Sequence, residues 1–276
     1  MQNIIIPVDF SLESRAAIDY VLTFFPSSNA RVILLHAYSK FNTSEFLISI
    51  DDIIEKDIHK KLEVEGEYLL RKSGGKNIEL IYDCECNDIV SAIQNAVNTY
   101  HADLLVLGSD GQYSWKDMSY MEDGKTLNII KEVSIPVLIV PYLQEARKPA
   151  NILFATVIDG IDGESDVHPL IEMTKQCQAH LDIINVGPDK SSENSLNKGL
   201  TKTVNGFFKK VDYKLHTVLD SDAYEAIVRF SDEHHSDIIC IMYRKHTTLE
   251  RLLKQSISKK VITNLTKPIL TLKHQE

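Results

Sequence analysis

The chain lacks any apolar stretch that approaches the roughly 20 residues needed to cross a membrane as a helix. Its first ten residues, MQNIIIPVDF, also lack the basic start of a secretory leader and reach an acidic residue at Asp9. We therefore expect these residues to form a first strand. We also expect a cytoplasmic protein with no membrane partner.

Positive charge is in short supply. The sequence has 30 Lys and Arg residues against 39 Asp and Glu residues, which gives a formal net charge of −9. Nucleic-acid binding requires a basic face that displaces counterions from the phosphate backbone. The composition therefore argues against a nucleic-acid partner.

Cysteine is scarce as well, with four residues in 276. Cys84 and Cys86 form a C-x-C pair on an apparent strand, where side chains two apart share a face. A metal site needs further ligands at matching spacing, and the sequence places none nearby. The pattern therefore favours reduced thiols with a structural role and no metal.

The stretch Asp103–Pro141 has the layout of a nucleotide site. Two unbroken apolar runs, Leu104–Leu107 and Val137–Val140, are typical of strands buried on both faces of a parallel sheet. Between them lie glycines that expose backbone N–H groups and a predicted helix, 126–133, whose start favours anions. The candidate phosphate-binding residues are Gly108, Gly111, Gly124, Lys125 and Thr126.

The first half alternates strands with helices. This alternation predicts an open, doubly wound α/β sheet of the Rossmann-like type, with five strands and four helices. Ligands of such sheets bind beyond the carboxyl ends of the strands. Asp9, Ala37 and Gly108 each lie at the carboxyl end of a predicted strand, so we expect them to converge on one crevice.

The second half repeats the first. Asp103 and Asp237 are 134 residues apart, and Pro136 and Pro268 are 132 residues apart. A near-constant offset over several elements indicates a tandem duplication. We therefore predict two tandem doubly wound open parallel-sheet domains, over residues 1–143 and 150–276, that form an intramolecular pseudo-dimer.

The second copy lacks the residues of the proposed site. Val157 stands where the first copy has Asp9, and Met242 and Lys245 stand in the region of the first two glycines. Long side chains at these positions would block the approach of a phosphate to the backbone. We therefore expect a degenerate second site.

Four motifs together resemble the universal stress protein family in its tandem two-domain form. They read IIPVDF, LLHA, DLLVLGSDG and SIPVLIVP, and the resemblance covers nearly the whole chain, once per half. It implies a stress-response module that binds ATP or another adenine nucleotide, with Mg²⁺ a possible companion of ATP. Because the second copy is degenerate, we expect binding in the first domain only.

The resemblance also implies roles for individual residues. Asp9 would bind the ribose, and Ala37 would contact the adenine through its backbone. The ribose and phosphates would be lined or held by Gly108, Gly111, Gly124, Lys125 and Thr126. The match departs from the family pattern G-x-x-G, nine residues, G-[S/T], because twelve residues precede Gly124 and Lys125 replaces the Ser or Thr.

The same residues allow other interpretations. A Walker P-loop does not fit, because Ser119 occupies the position of its first glycine. A weak ATP hydrolase could pair His36 with Asp9, but no nucleophile, base and oxyanion hole assemble, so we expect no enzyme. A nucleotide-free scaffold could pair its edge strands, 137–141 and 269–273, as an intramolecular pseudo-dimer or as a homodimer.

Overall fold

A computed structural model describes nine stretches of the chain: residues 2–24, 30–39, 50–75, 77–109, 125–156, 163–187, 204–220, 222–243 and 267–273. These residues divide into two compact units. The first unit holds residues up to 146 and the second unit holds residues from 147 onward, as far as the described parts of the chain extend.

The first unit alternates five strands with four helices. Its strands are β1 (Gln2–Pro7), β2 (Ala30–Tyr38), β3 (Ile78–Cys86), β4 (Leu104–Ser109) and β5 (Val137–Pro141). Its helices are α1 (Leu12–Phe24), α2 (Ile50–Lys72), α3 (Ile89–Tyr100) and α4 (Lys125–Glu132). The strands are parallel and lie in the order β3-β2-β1-β4-β5.

The core of the first unit follows from its apolar runs. Ile4, Ile5 and Ile6 of β1 are all fully buried, as are Val32–Leu35 of β2. A strand that buries successive residues must be covered on both faces, which is the arrangement that parallel crossover connections produce. Helix α1 covers one face of the sheet with the buried residues Ala17, Ile18 and Val21, which recur at helical spacing.

An ion pair joins α1 to α2 within the first unit. The guanidinium of Arg15 donates two hydrogen bonds to the carboxylate of Glu65, whose side chain is only 7% exposed. The pKa of Arg15 is raised, chiefly by this hydrogen bond. Nearby, the Tyr68 hydroxyl donates to Asp19, and burial together with that carboxylate raises the pKa of Tyr68 to about 12. These contacts fix the position of the long, charged helix α2 against the rest of the unit.

The second unit repeats this plan. Its strands are β6 (Asn151–Thr156), β7 (His180–Gly187), β8 (Tyr213–Leu219), β9 (Ile238–Tyr243) and β10 (Ile269–Lys273). Its two longer helices, among the described residues, are α5 (Glu164–Cys177) and α6 (Ala223–Glu233). The parallel strand order β8-β7-β6-β9-β10 corresponds element by element to that of the first unit. The predicted fold class, two tandem doubly wound parallel-sheet domains, is confirmed.

An aspartate at the equivalent position of each unit hydrogen-bonds the amino ends of the two central strands to each other. In the first unit, the backbone N–H of Asn3 donates to Asp103 Oδ2 at 2.7 Å, and the N–H of Asp103 donates to the carbonyl of Asn3 at 2.8 Å. In the second unit, Asp237 Oδ2 accepts from the N–H of Asn151 at 2.9 Å. The repeated sequence therefore encodes a repeated hydrogen-bonding device that aligns the amino ends of two neighbouring strands.

A buried carboxylate in the second unit is surrounded by histidines. Asp182 of β7 is nearly buried, and its Oδ1 lies 2.7 Å from Nε2 of His216 and 3.5 Å from Nε2 of His180. Nδ1 of His234 lies 3.7 Å from the other oxygen, and its ring stacks on Phe230. The cluster lies toward the amino ends of the strands, so it forms no part of a carboxyl-edge site.

Among the described helices, none combines the length and the apolarity that crossing a bilayer would require.

Candidate functional site

The strand order brings three of the predicted site residues to one edge of the sheet. Strands β2, β1 and β4 are neighbours, and Ala37, Asp9 and Gly108 lie at or just beyond their carboxyl ends. The chain proceeds from β1 toward β3 on one side and resumes at β4 on the other side. The crevice between β1 and β4 is therefore the topological switch point, where open α/β sheets bind their ligands.

Asp9 is held by the start of the helix that follows it. The N–H of Ser11 donates to Asp9 Oδ1 at 3.1 Å, and the Ser11 hydroxyl donates to the same oxygen. Ser11 also caps α1, because its Oγ accepts from the N–H of Ser14 at 3.2 Å. Phe10 lies between the two with a φ of 66°, a left-handed conformation that turns the chain sharply after β1.

The Asp9 carboxylate is charged at neutral pH. Partial burial raises its pKa, but the hydrogen bonds from the Ser11 hydroxyl and amide, together with one from Ser14, outweigh that effect and leave the pKa below its usual value. A charged carboxylate accepts hydrogen bonds from hydroxyl groups and repels phosphates. Its chemistry therefore suits a sugar better than a phosphate chain.

His36 and Phe10 form the wall beside Asp9. His36 Nδ1 donates to the carbonyl of Val8 at 2.6 Å, and its ring lies 4.8 Å from that of Phe10, centroid to centroid. Lys61 of α2 places its ammonium 5.8 Å from the Phe10 ring. His36 and Asp9 do not hydrogen-bond to each other, because Nδ1 of His36 donates to the Val8 carbonyl and the Asp9 carboxylate accepts from Ser11. The structure therefore lacks the His36–Asp9 pair that the hydrolase interpretation requires.

Gly108 has a packing role that the sequence did not suggest. A Cβ built on Gly108 would lie 1.9 Å from the carbonyl oxygen of Glu13 and 2.8 Å from the backbone nitrogen of Ser14. The first turn of α1 thus fills the space that a side chain would need. This glycine is required by helix packing, whether or not a phosphate approaches its backbone.

The remaining predicted residues are only partly covered. Gly111 and Gly124 lie outside the described residues. Lys125 and Thr126 are the first two residues of α4, one residue earlier than the predicted helix start at 126, and the structure describes their backbone only. The predicted phosphate role of these four residues stays a prediction.

The second unit differs at the position of Gly108. In the register of β9 with β10, Met242 occupies the place that Gly108 occupies in the register of β4 with β5. Met242 is only 6% exposed, so its side chain fills the region where the first unit has none. Val157 and Lys245, the other two replacements, lie outside the described residues.

The buried thiols are poor candidates for a nucleophile. Burial raises the pKa of Cys177 to about 11 and raises that of Cys240 as well. At pH 8 only about one Cys177 thiol in a thousand would be ionised. Cys86, in contrast, is exposed.

We expect Cys86 of the native protein to react with Ellman's reagent within minutes, and Cys177 and Cys240 to react only after denaturant is added. Absorbance of the released thiolate measures both phases, and a Cys86→Ser variant identifies the fast one. Rapid reaction of the buried pair in the native protein would contradict this assignment.

Sequence reasoning missed Phe10 and Lys61 at this edge. Phe10 follows directly after Asp9, so its nearness to the site was readable in principle. Lys61 belongs to a helix rich in charges on several sides, and only its packing shows which of them faces the β1–β2 edge. No feature of its sequence context would have distinguished it.

Comparisons with known proteins agree on the fold. The chain is similar over its whole length to a universal stress protein from Archaeoglobus fulgidus, with 18% identity, 99% of this chain and 97% of that chain covered, and a TM-score of 0.64. A functionally unknown protein from Pseudomonas aeruginosa aligns with 16% identity, covering 99% and 92% of the two chains, with a TM-score of 0.59.

A third solved structure shares the fold in another setting. The cytoplasmic domain of a prokaryotic cation chloride cotransporter is 11% identical, with 98% of this chain and 95% of that chain covered and a TM-score of 0.59. No curated protein matches the sequence. At these low identities, the structural similarity shows the fold and does not show the function.

The family itself is established by a family model that matches twice. The model described as the universal stress protein family matches residues 1–141 and again residues 161–273. Together the matches cover most of the chain and correspond to the two units of the structure. The chain belongs to the universal stress protein family, with one copy of the family domain in each half.

Proposed function

We propose that this protein is a stress-response module whose first unit binds one adenine nucleotide, ATP in the simplest case, and whose second unit binds none. The nucleotide would lie across the carboxyl ends of β2, β1 and β4. The observation that carries the proposal is the position of the charged, pre-oriented Asp9 carboxylate at the switch point of the sheet.

The geometry around Asp9 suits a nucleoside. The carboxylate would accept hydrogen bonds from the ribose hydroxyls, and it is already oriented by Ser11, so little ordering cost remains when the sugar binds. Ala37, at the end of the neighbouring strand, offers backbone groups to the base. The aromatic ring of Phe10 adds an apolar surface beside them.

The phosphates would extend toward α4. This helix begins at Lys125, and the free N–H groups of a helix start attract anions. In the proposal, Gly108, Gly111 and Gly124 let the phosphates approach the backbone, with Mg²⁺ as a possible companion of ATP. A binding role without catalysis is proposed, because Asp9 and His36 hydrogen-bond to Ser11 and to the Val8 carbonyl and not to each other.

We expect the Asp9→Ala variant to bind ATP at least about a hundredfold more weakly than the unaltered protein, since about two hydrogen bonds to a charged acceptor are lost. Asp9 is exposed, so its removal should leave the fold intact. Isothermal titration calorimetry with ATP and Mg²⁺ measures the dissociation constant. It should also show one site per chain.

The matched control is Asp222→Ala, which removes a carboxylate from the start of α6 in the second unit. This variant should bind ATP as the unaltered protein does. Two sites per chain, or equal affinity in the Asp9→Ala variant, would overturn the proposal. Mass spectrometry of the small molecules released on denaturation would identify any nucleotide that the purified protein already carries.

A nucleotide-free scaffold is the second candidate, and the packing role of Gly108 favours it. The conspicuous glycine after β4 is explained by its contact with the first turn of α1, with no ligand needed. A scaffold should purify without nucleotide, show no heat of ATP binding and self-associate in analytical ultracentrifugation. Stoichiometric ATP in the purified protein would exclude it.

A further inference from the structure

The structure brings three metal-ligand side chains together in the first unit. Glu55 and His59 lie one helical turn apart on α2, with Glu55 Oε1 3.9 Å from His59 Nε2. Cys84 of β3 places its Sγ 3.5 Å from the same His59 nitrogen. All three potential ligand atoms lie within 4.8 Å of one another. The sequence alone does not show this grouping, because 25 residues separate Cys84 from His59 and only the packing of α2 on β3 brings them together.

We propose that Glu55, His59 and Cys84 form a binding site for a borderline-soft divalent transition metal ion, with zinc as the best match. One carboxylate oxygen, one imidazole nitrogen and one thiolate sulfur are the three donor types that Zn²⁺ takes in proteins. Mg²⁺ and Ca²⁺ select oxygen ligands, so this donor set discriminates against them. The site lies outside the proposed nucleotide contacts and does not depend on them.

The spacing is close to that of a coordinated ion. Zinc bonds of about 2.0 Å to nitrogen and about 2.3 Å to sulfur place tetrahedral ligand atoms about 3.5 Å apart. The His59–Cys84 separation already equals this value. The Glu55–His59 separation is 3.9 Å, and no separation within the cluster exceeds 4.8 Å. The Glu55 side chain is 48% exposed, so it can rotate and bring its carboxylate oxygen to bonding distance of a shared ion.

The surroundings allow entry and hold the ligands in place. Both Glu55 and His59 are about half exposed, so an ion reaches the site from solvent. The ligands belong to a helix and a strand, and α2 is anchored farther along by the Arg15–Glu65 ion pair.

Three protein ligands leave a fourth position for water or for a ligand from outside the protein. Binding would tie the first half of α2 to β3, and it would add to the stability of the first unit because the unfolded chain offers no such site. Cys84 lies directly opposite His36 in the register of β2 with β3. An ion at this position would therefore lie one strand away from the wall of the Asp9 crevice.

Cobalt substitution tests the site. Reduced, metal-free protein titrated with Co²⁺ should show a sulfur-to-cobalt charge-transfer band in the ultraviolet and intense tetrahedral d–d bands in the visible, saturating at one ion per chain. Competition with a chromophoric chelator then gives the zinc affinity. The Cys84→Ser and His59→Ala variants should each weaken binding by at least about tenfold, since even changes to groups behind a ligand cost that much.

The matched control is Cys86→Ser, which removes an exposed thiol two residues from Cys84 on the same strand. It should keep the charge-transfer band and the affinity. Absence of the band in the unaltered protein, its survival in Cys84→Ser, or its loss in Cys86→Ser would each overturn the proposal. Circular dichroism verifies folding. If Cys84→Ser is unfolded, the exposed-side-chain variant Glu55→Gln tests the site through the metal affinity, which should fall by at least about tenfold, and an unchanged affinity would overturn the proposal.

Discussion

Replacing Gly108 by alanine should lower the free energy of unfolding of the first unit by about 3 kcal/mol, at the upper end of the cost of overpacking a core. The added Cβ would lie 1.9 Å from the Glu13 carbonyl oxygen and 2.2 Å from its carbon. Both are backbone atoms, so no side-chain rotation can relieve the overlap. The first turn of α1 must move away from β4, which also displaces Ser11 and with it Asp9.

Hydrogen exchange of the β1 and β4 amides in increasing urea measures this effect within the first unit. The control is Gly206→Ala in the second unit, followed through the β6 and β9 amides, because a Cβ on Gly206 meets nothing within 4 Å. Gly206 lies in a short helical segment, 204–207, where alanine stabilises by up to about 1 kcal/mol. Equal effects of the two substitutions would show that α1 does not approach β4 as closely as described.

This result also governs how binding experiments are designed. A Gly108→Val variant that fails to bind ATP would report the displacement of α1 and not the loss of a phosphate contact. Asp9→Ala avoids the difficulty, because Asp9 is exposed and accepts hydrogen bonds only near the start of one helix. Nucleotide binding is therefore best tested through Asp9.

Replacing Asp237 by alanine should destabilise the second unit by about 3 kcal/mol. Its carboxylate is 7% exposed and accepts three hydrogen bonds: from Arg147 Nη2 at 2.7 Å, from the N–H of Ala150 at 2.8 Å and from the N–H of Asn151 at 2.9 Å. Removing this acceptor leaves the N–H groups of Ala150 and Asn151 without their protein partner, and the cost of leaving them unpaired dominates, because water can hydrate the exposed Arg147.

The first unit supplies the matched control. Asp103 occupies the corresponding position, but it is exposed, and within the part of the chain that the structure describes one backbone N–H, that of Asn3, donates to it. Asp103→Ala should therefore cost about 1 kcal/mol, because water replaces the lost partner. Urea unfolding followed by hydrogen exchange in each unit compares the two variants. Equal losses in the two units would contradict the role assigned to burial.

The parallel, doubly covered arrangement of the strands was predictable because it depends on local pattern. Runs such as Ile4–Ile6 and Leu104–Val106 can only be satisfied by a sheet covered on both faces, and alternation with helices then dictates parallel crossovers. The capping of α1 by Ser11 was predictable for the same reason, since a cap and its helix are adjacent in sequence.

The function of Gly108 was not predictable in this way. The sequence shows a glycine after an apolar run, which fits a phosphate cradle and a close helix contact equally well. Only the distance from Gly108 to the backbone of Glu13 shows that a close helix contact requires the glycine, and that distance depends on how α1 packs on β4. The cluster of Glu55, His59 and Cys84 was missed because helix orientation decides which charged side chains of α2 meet β3.

By itself the sequence determined the tandem repeat, the Rossmann-like fold class, the family and the carboxyl-edge positions of Asp9, Ala37 and Gly108. Each of these follows from residue patterns within an element or from the offset between the two halves. Tertiary structure alone decided that Gly108 serves the packing of α1, that Asp237 is buried where Asp103 is exposed, and that three metal-ligand side chains meet between α2 and β3. The physical reason is that such contacts join elements distant in sequence, and their distances are set by packing, which no local pattern records.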